Sequence, residues 1–177
     1  MKKLLVLIFL GSFAFLHACV GPVGPPGPPG PQGRDGLVLL GEAFEVDINF
    51  TEANGYADIF TLNPPIEPSD VLLVYVRWEV DNGTPIWRHL PQSVFFDEGI
   101  LVYNFDFTEG DFEIFMETTF DPALLDNSWT RNQRFRIVII PAEFGSARID
   151  YNDYDGVMSL LGLSESDIVK LKSKKEN

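Results

Sequence analysis

From residue 37 onward the sequence predicts an all-β domain, an antiparallel β-sandwich or partly open barrel of about seven or eight strands, and three observations predict it. Runs that alternate apolar and polar residues are separated by Gly, Pro, Asn and Asp, which marks half-buried strands and not helices of 3.6-residue period. Asp81-Asn82-Gly83-Thr84 carries an Asn-Gly pair, which suits a type I′ hairpin turn because both central residues there take positive φ. Glu109-Gly110 joins two further alternating runs rich in Phe.

Taken in order, these runs place strands at 38–50, 55–62, 70–80, 85–95, 99–108, 111–120 and 133–140, with a short further one at 147–150. The first hairpin registers Val80 opposite Pro85, Trp78 opposite Trp87 and Val76 opposite His89, so that Leu72, Val74, Val76, Trp78 and Trp87 share one core face. The second sets Phe107 opposite Phe112, Phe105 opposite Ile114 and Tyr103 opposite Met116, again a core face. Past the strands, 153–161 spaces Val157, Leu160 and Leu161 as a helix does and stops at Gly162. Ser164 with Asp167 has the form of a second helix start, carrying Ile168, Val169 and Leu171. This short C-terminal helical segment is expected to close one end of the sandwich; its apolar stripe could instead serve a partner.

The N-terminus has a different texture. Met1-Lys2-Lys3 is a short positive head, and 4–16 is an apolar run broken only by Gly11 and Ser12, the length of a signal peptide and too short for a membrane-spanning helix of about 20 residues. It ends in Leu16-His17-Ala18-Cys19, with an apolar residue three before the cysteine and a small one just before it. Cys19 is the chain's one cysteine, so it has no disulfide partner within the chain, and a lone thiol is odd in an exported protein. Lipidation would account for it: each buried methylene contributes about 0.8 kcal/mol and stable attachment takes more than one chain, which a diacylglyceryl group supplies. An ordinary secretory signal with an incidental cysteine is the competing reading.

After Val20 come Gly-Pro-Val, Gly-Pro-Pro, Gly-Pro-Pro, Gly-Pro-Gln and Gly-Arg-Asp, so that Gly21, Gly24, Gly27, Gly30, Gly33 and Gly36 recur at a strict period of three. At average glycine usage such a run arises by chance about once in ten million positions. Proline fixes φ near the polyproline II value, so the stalk is extended and reaches roughly 50 Å. In a collagen triple helix only Gly fits at the axis, which would explain the period and make the chain a homotrimer; a single-chain spacer of the same reach requires no period. The expected organisation is therefore a signal peptide at 1–18, the lipidated cysteine and collagen-like stalk at 19–36, the β-domain at 37–150, and a helical segment with a basic tail at 151–177.

Charge narrows the partners. The 13 basic residues less Lys2 and Lys3, which would leave with the signal, are 11 against 26 acidic ones, a net −15. Nucleic acid is excluded as a partner, since phosphate recognition needs clustered Lys and Arg. The basic cluster Lys170, Lys172, Lys174 and Lys175 reads as a solvated helix end that complements the helix dipole.

The chemistry of catalysis is thinly represented. With Cys19 lipidated and His17 in the signal, His89 would be the remaining histidine, so neither a nucleophilic triad nor a zinc site is easily built. His89 reads as a half-buried, hydrogen-bonded residue beside Trp87. No cofactor and no enzymatic activity are expected. One constellation stands out: the second hairpin brings Asp106 directly opposite Glu113, with Asp111 and Glu117 nearby, and like charges facing across strands are destabilising. Arg134 and Arg136 from a neighbouring strand are the expected compensation; plain solvation, or a bound Ca²⁺ or carbohydrate, are the alternatives.

The stretch Leu16-His17-Ala18-Cys19, the Gly-Pro-Pro triplets, and the later stretches Val74-Tyr75-Val76-Arg77-Trp78-Glu79-Val80-Asp81, Tyr103-Asn104-Phe105-Asp106-Phe107-Thr108 and Phe135-Arg136-Ile137-Val138-Ile139-Ile140-Pro141-Ala142 together resemble small collagen-like lipoproteins of Gram-negative bacteria. The resemblance implies a lipid anchor in the outer membrane and an envelope role, and it brings no catalytic residue with it. Acidic residues just after the cysteine often accompany export to the surface in such bacteria; Val20-Gly21-Pro22-Val23 has none, which favours the periplasmic side. Two function classes follow: a structural or interaction lipoprotein that presents the β-domain, or an envelope module that binds glycan or Ca²⁺.

Overall fold

A computed structural model describes residues 41–146 and 148–174 of the chain. Nine strands make two sheets: β1 (Glu42–Ile48), β3 (Val71–Asp81), β4 (Thr84–His89), β8 (Gln133–Ile140) and β9 (Val169–Lys170) in the order β4-β3-β8-β1-β9, and β2 (Ala57–Thr61), β5 (Gln92–Phe96), β6 (Gly99–Phe107) and β7 (Asp111–Thr118) in the order β2-β7-β6-β5. The domain is therefore all-β, as the alternation predicts. Pairing is antiparallel except between β1 and β9.

Alternate residues of the strands meet between the sheets. Val46, Ile48, Leu72, Val74, Phe135 and Ile137 of the larger sheet pack with Phe60, Leu101, Tyr103, Phe112 and Ile114 of the smaller one in a single cluster. Burying each such side chain contributes about 1.5–3 kcal/mol. The larger sheet is covered on its other face as well. Leu73, Tyr75, Val138 and Ile140 point outward there, against Tyr154, Val157, Met158 and Leu161. This is why Leu72–Val76 and Phe135–Ile140 are buried at every position and read as continuous apolar runs.

Several expectations need correction. The run at 85–95 is two strands in different sheets, because Pro91 has no N–H to continue a ladder and the chain turns a corner at the fully buried Leu90. The Asn82-Gly83 turn is as expected, with both residues at positive φ and Val80 opposite Pro85. A bulge between Arg77 and Glu79 then shifts the register, so that Arg77 and not Trp78 faces Trp87, and Tyr75 and not Val76 faces His89. Trp78 thus stays with the inter-sheet core, while Trp87 lies on the outer face with the Tyr154 cluster. The second hairpin keeps its expected register throughout. Its Phe107, however, is 44% exposed at the tip and so is not core. Residues 148–150 are not a strand.

The C-terminal part differs most. The helix expected at 153–161 exists as Tyr154–Leu160, capped by the Asp153 side chain on Gly156 N–H, yet it covers the outer face of the larger sheet instead of one end of the sandwich. The second helix is a single 3₁₀ turn at Glu165–Asp167. Ser164 and Asp167 do form the capping box, but β-branched Ile168 and Val169 follow, and the open edge of β1 takes Val169 and Lys170 as a strand. Beyond it Leu171 N–H donates to Glu45 C=O at 3.1 Å, Leu171 packs on the inter-sheet core, and the Ser173 hydroxyl donates to Asp58 on β2. The tail is thus a strap from one sheet edge to the other, and Lys170 belongs to a strand and not to a helix end.

Candidate functional site

The acidic hairpin forms as read, and its expected compensation does not. Asp106 pairs with Glu113 across β6 and β7, with Ile59 on the other side of Glu113. Arg134 and Arg136 lie on β8, in the centre of the other sheet, and alternation with Phe135 and Ile137 turns them to its outer face. Arg134 donates from Nε and Nη2 to Asp47 at 2.7 and 2.8 Å, and Arg136 serves Glu45 and Glu165. Between Arg88 and Arg131 the chain has no Lys or Arg at all, so the hairpin meets no cation from its own sheet. Asp106 and Glu117 are exposed; Asp111 accepts from the Thr108 hydroxyl at 2.6 Å and so shapes the turn. Among the described residues no three His, Cys, Asp or Glu side chains converge to hold a metal ion.

The arginines instead build a buried ionic cluster on the outer face of the larger sheet. Arg136 is 5% exposed and Glu45 7%. Arg136 donates to Glu165 from Nη1 and Nη2 at 2.6 and 2.5 Å and to the Tyr154 hydroxyl at 2.5 Å, and its guanidinium lies 4.2 Å from the Trp87 ring centre. Glu45 also meets Arg134 at 3.3 Å and Lys170 at 3.5 Å. Burial works against the charge of Arg136, but the hydrogen bonds to Glu165 and Tyr154 outweigh it and its pKa is raised. The Arg134 hydrogen bonds hold the Asp47 carboxyl below the usual carboxylate range. Arg136 is committed to partners on three elements, so the cluster ties the helix Tyr154–Leu160, the 3₁₀ turn and β9 to the sheet.

His89 shares the outer face with Trp87, and its ring centre is 5.4 Å from that of Tyr75. It is half-buried as expected, but Nε2 is sealed from solvent without a hydrogen-bond partner, and burial lowers its pKa. That is the position of a packing residue with an unmet polar atom.

A second aromatic group was not singled out in the sequence. The short helix α1 (Asn127–Thr130) is capped by Asp126 and pinned where the Tyr103 hydroxyl donates to Trp129 C=O at 2.5 Å and Phe50 N–H to Thr130 C=O at 2.8 Å. Trp129 thereby meets Trp78 edge to face at 6.1 Å, and the Arg88 guanidinium lies 4.1 Å from the Trp78 ring centre. The two indoles border a cleft of about 240 Å³ with Arg77, Ser128 and Gln133. The signal for Trp129 was weak because one turn of helix in a loop has no periodicity. Trp78 lies on the core face that the alternation predicts, and only its pairing with Trp87 is changed by the bulge.

Cys19 and the six stalk glycines lie outside the described residues. No helix among the described residues is long and apolar enough to cross a membrane. No family model, no curated protein and no solved structure matches the chain.

Proposed function

We propose that this chain is a lipoprotein anchored through Cys19, whose collagen-like stalk holds a β-sandwich off the membrane in a structural or interaction role and without enzymatic activity. The observation that carries the reading is Cys19, the one cysteine of the chain, standing at the end of the apolar run and directly before the Gly-X-Y triplets. Its acyl chains would sit in the outer membrane, facing the periplasm, and the stalk would bring three copies together.

The test is metabolic labelling. Wild-type protein takes up a fatty-acid analogue and sediments with membranes, and the Cys19→Ser variant does neither. Equal labelling and partitioning of that variant would overturn the anchor.

A further inference from the structure

The two sheets differ in charge. The strands of the larger one carry Arg77, Arg88, Arg134, Arg136 and Lys170, and the strands of the smaller one carry no Lys or Arg. They differ in cover as well. The larger sheet is packed on both faces. On the smaller one, Ile59, Phe95, Ile100, Val102 and Phe115 alternate with the core residues and so point away from the larger sheet, and among the described residues they belong to neither apolar cluster.

Register sets these side chains in order. Ile59 lies beside Glu113 and Asp106, Phe115 beside Asn104, Val102 beside Glu117 and Ser93, and Phe95 beside Ile100. Each of these rows is two residues further along the strands than the one before. In the strand order β2-β7-β6-β5, Ile59, Phe115, Val102 and Phe95 therefore form an apolar diagonal, one residue to each strand. Glu113 and Asp106 flank it on one side and Glu117 on the other. None of these three carboxylates has a cationic partner among the described residues.

We propose that this diagonal docks a cationic amphipathic helix of a partner protein. The proposal gives the interaction role above a surface and a partner chemistry, and rests on that role but not on the lipid anchor. Strands stand about 4.8 Å apart and alternate residues about 6.8 Å apart along each, so the diagonal runs roughly 25 Å, the length of about 16 residues of helix. An apolar stripe on that helix covers the four side chains, and lysines or arginines beside the stripe reach the flanking carboxylates. The other sheet is covered in the same manner, by Val157, Met158 and Leu161 of a helix. A globular partner needs more room, since a standard interface buries about 800 Å² on each side and this face is only about 14 Å wide. A second copy is poorly matched. Its Arg134, Arg136 and Lys170 are engaged with Asp47, Glu165 and Glu45, and its own smaller sheet would set carboxylates against carboxylates.

The experiment uses the full chain with Cys19→Ser, which carries no acyl group whether or not the anchor is real, so that no detergent competes for the probe. The probe is a fluorescein-labelled peptide of about 16 residues, built of Leu and Lys with the leucines on one helical face, and its anisotropy is followed. A saturable rise is expected, with octalysine and the same peptide carrying Glu for Lys inactive at equal concentrations. Phe95 is 77% exposed, so Phe95→Ser leaves the melting temperature in place, and it is expected to weaken binding about tenfold through the lost apolar contact. Glu113→Lys is expected to weaken binding at low salt and to flatten its salt dependence. Glu143→Lys makes the same change of net charge at an exposed position outside this sheet and is expected to do neither. Binding of octalysine as tight as that of the peptide, equal effects of Glu113→Lys and Glu143→Lys, an affinity unmoved by Phe95→Ser, or no saturable response would each overturn the proposal. So would self-association in sedimentation that Phe95→Ser abolishes, which would make a second copy the occupant.

Discussion

Replacing Arg136 with methionine removes the centre of the buried ionic cluster while keeping most of its volume. Arg136 gives Glu165 two short hydrogen bonds, at 2.6 and 2.5 Å, and Glu45 two long ones, both at 3.4 Å. Removing one partner of a buried pair costs about 3–5 kcal/mol when the other charge is left alone. Here Glu45 keeps Arg134 and Lys170, and the Glu165 side chain is 73% exposed and rehydrates, which places the cost at the lower end, about 3 kcal/mol. At about 2–4 °C per kcal/mol for a domain of this size, the melting temperature should fall by roughly 6–12 °C. Arg134→Met is the control. Its pair with Asp47 is partly exposed, with side chains at 28% and 45%, and such pairs are worth about 0–1 kcal/mol. Thermal melts of both variants decide the matter. If Arg136→Met melts at or above the wild-type temperature, the cluster is no clamp and the reasoning fails.

Three further outcomes are expected. Glu113→Gln removes the like-charge pair with Asp106 and should stabilise the domain by about 0.2–1 kcal/mol in urea titration; because that pair is left to solvent, millimolar Ca²⁺ should leave the melting temperature unchanged, and a Ca²⁺-specific rise absent with Mg²⁺ would mean a bound ion instead. Burial lowers the folded-state pKa of His89 below its ordinary 6.5, so the unfolded chain takes up the proton first. Its contribution to stability is therefore complete above about pH 6.5 and is lost as the pH falls below it, and His89→Gln should flatten the stability profile between pH 7 and 5 in chemical denaturation. A soluble form beginning at Val20 should associate in sedimentation where one beginning at Leu37 does not, and Gly27→Ala should weaken that association, since no methyl group fits at a triple-helix axis. If all three stay monomeric the stalk is a single-chain spacer, and if all three associate equally the interface lies in the β-domain.

What could be read from the sequence was what the chain enforces locally. Asn82-Gly83 fixes a turn through the φ values of its own two residues, and the Phe-rich hairpin fixes its register because a one-residue slip would send Phe112 and Ile114 to solvent. What could not be read was set at long range. The bulge at Trp78 costs one residue of register and leaves no mark in composition, so Trp87 was placed on the wrong face. Ser164 and Asp167 signal a helix start correctly, but the open edge of β1, more than a hundred residues earlier, decides that Val169 and Lys170 become a strand. The partners of Arg134 and Arg136 follow from sheet order, and nothing in the local pattern says that β8 lies between β1 and β3. The Trp78–Trp129 contact is likewise set at long range, since Trp129 lies on the short helix α1 and Trp78 on β3.

The strap has a consequence in time. A strand at the start of the domain, β1, has both its neighbours near the end, pairing Glu42 with Ile139 and Phe44 with Val169. As the chain is made, its first strand stays without a partner until residue 140 has emerged, and the seam between the two sheets stays unlatched until Leu171 and Ser173 arrive. Closing loops of that length is slow, because the entropy of bringing the ends together must be met before the contacts reward it. The two-sheet arrangement therefore closes only after residue 173 has been made, however early its local hairpins form.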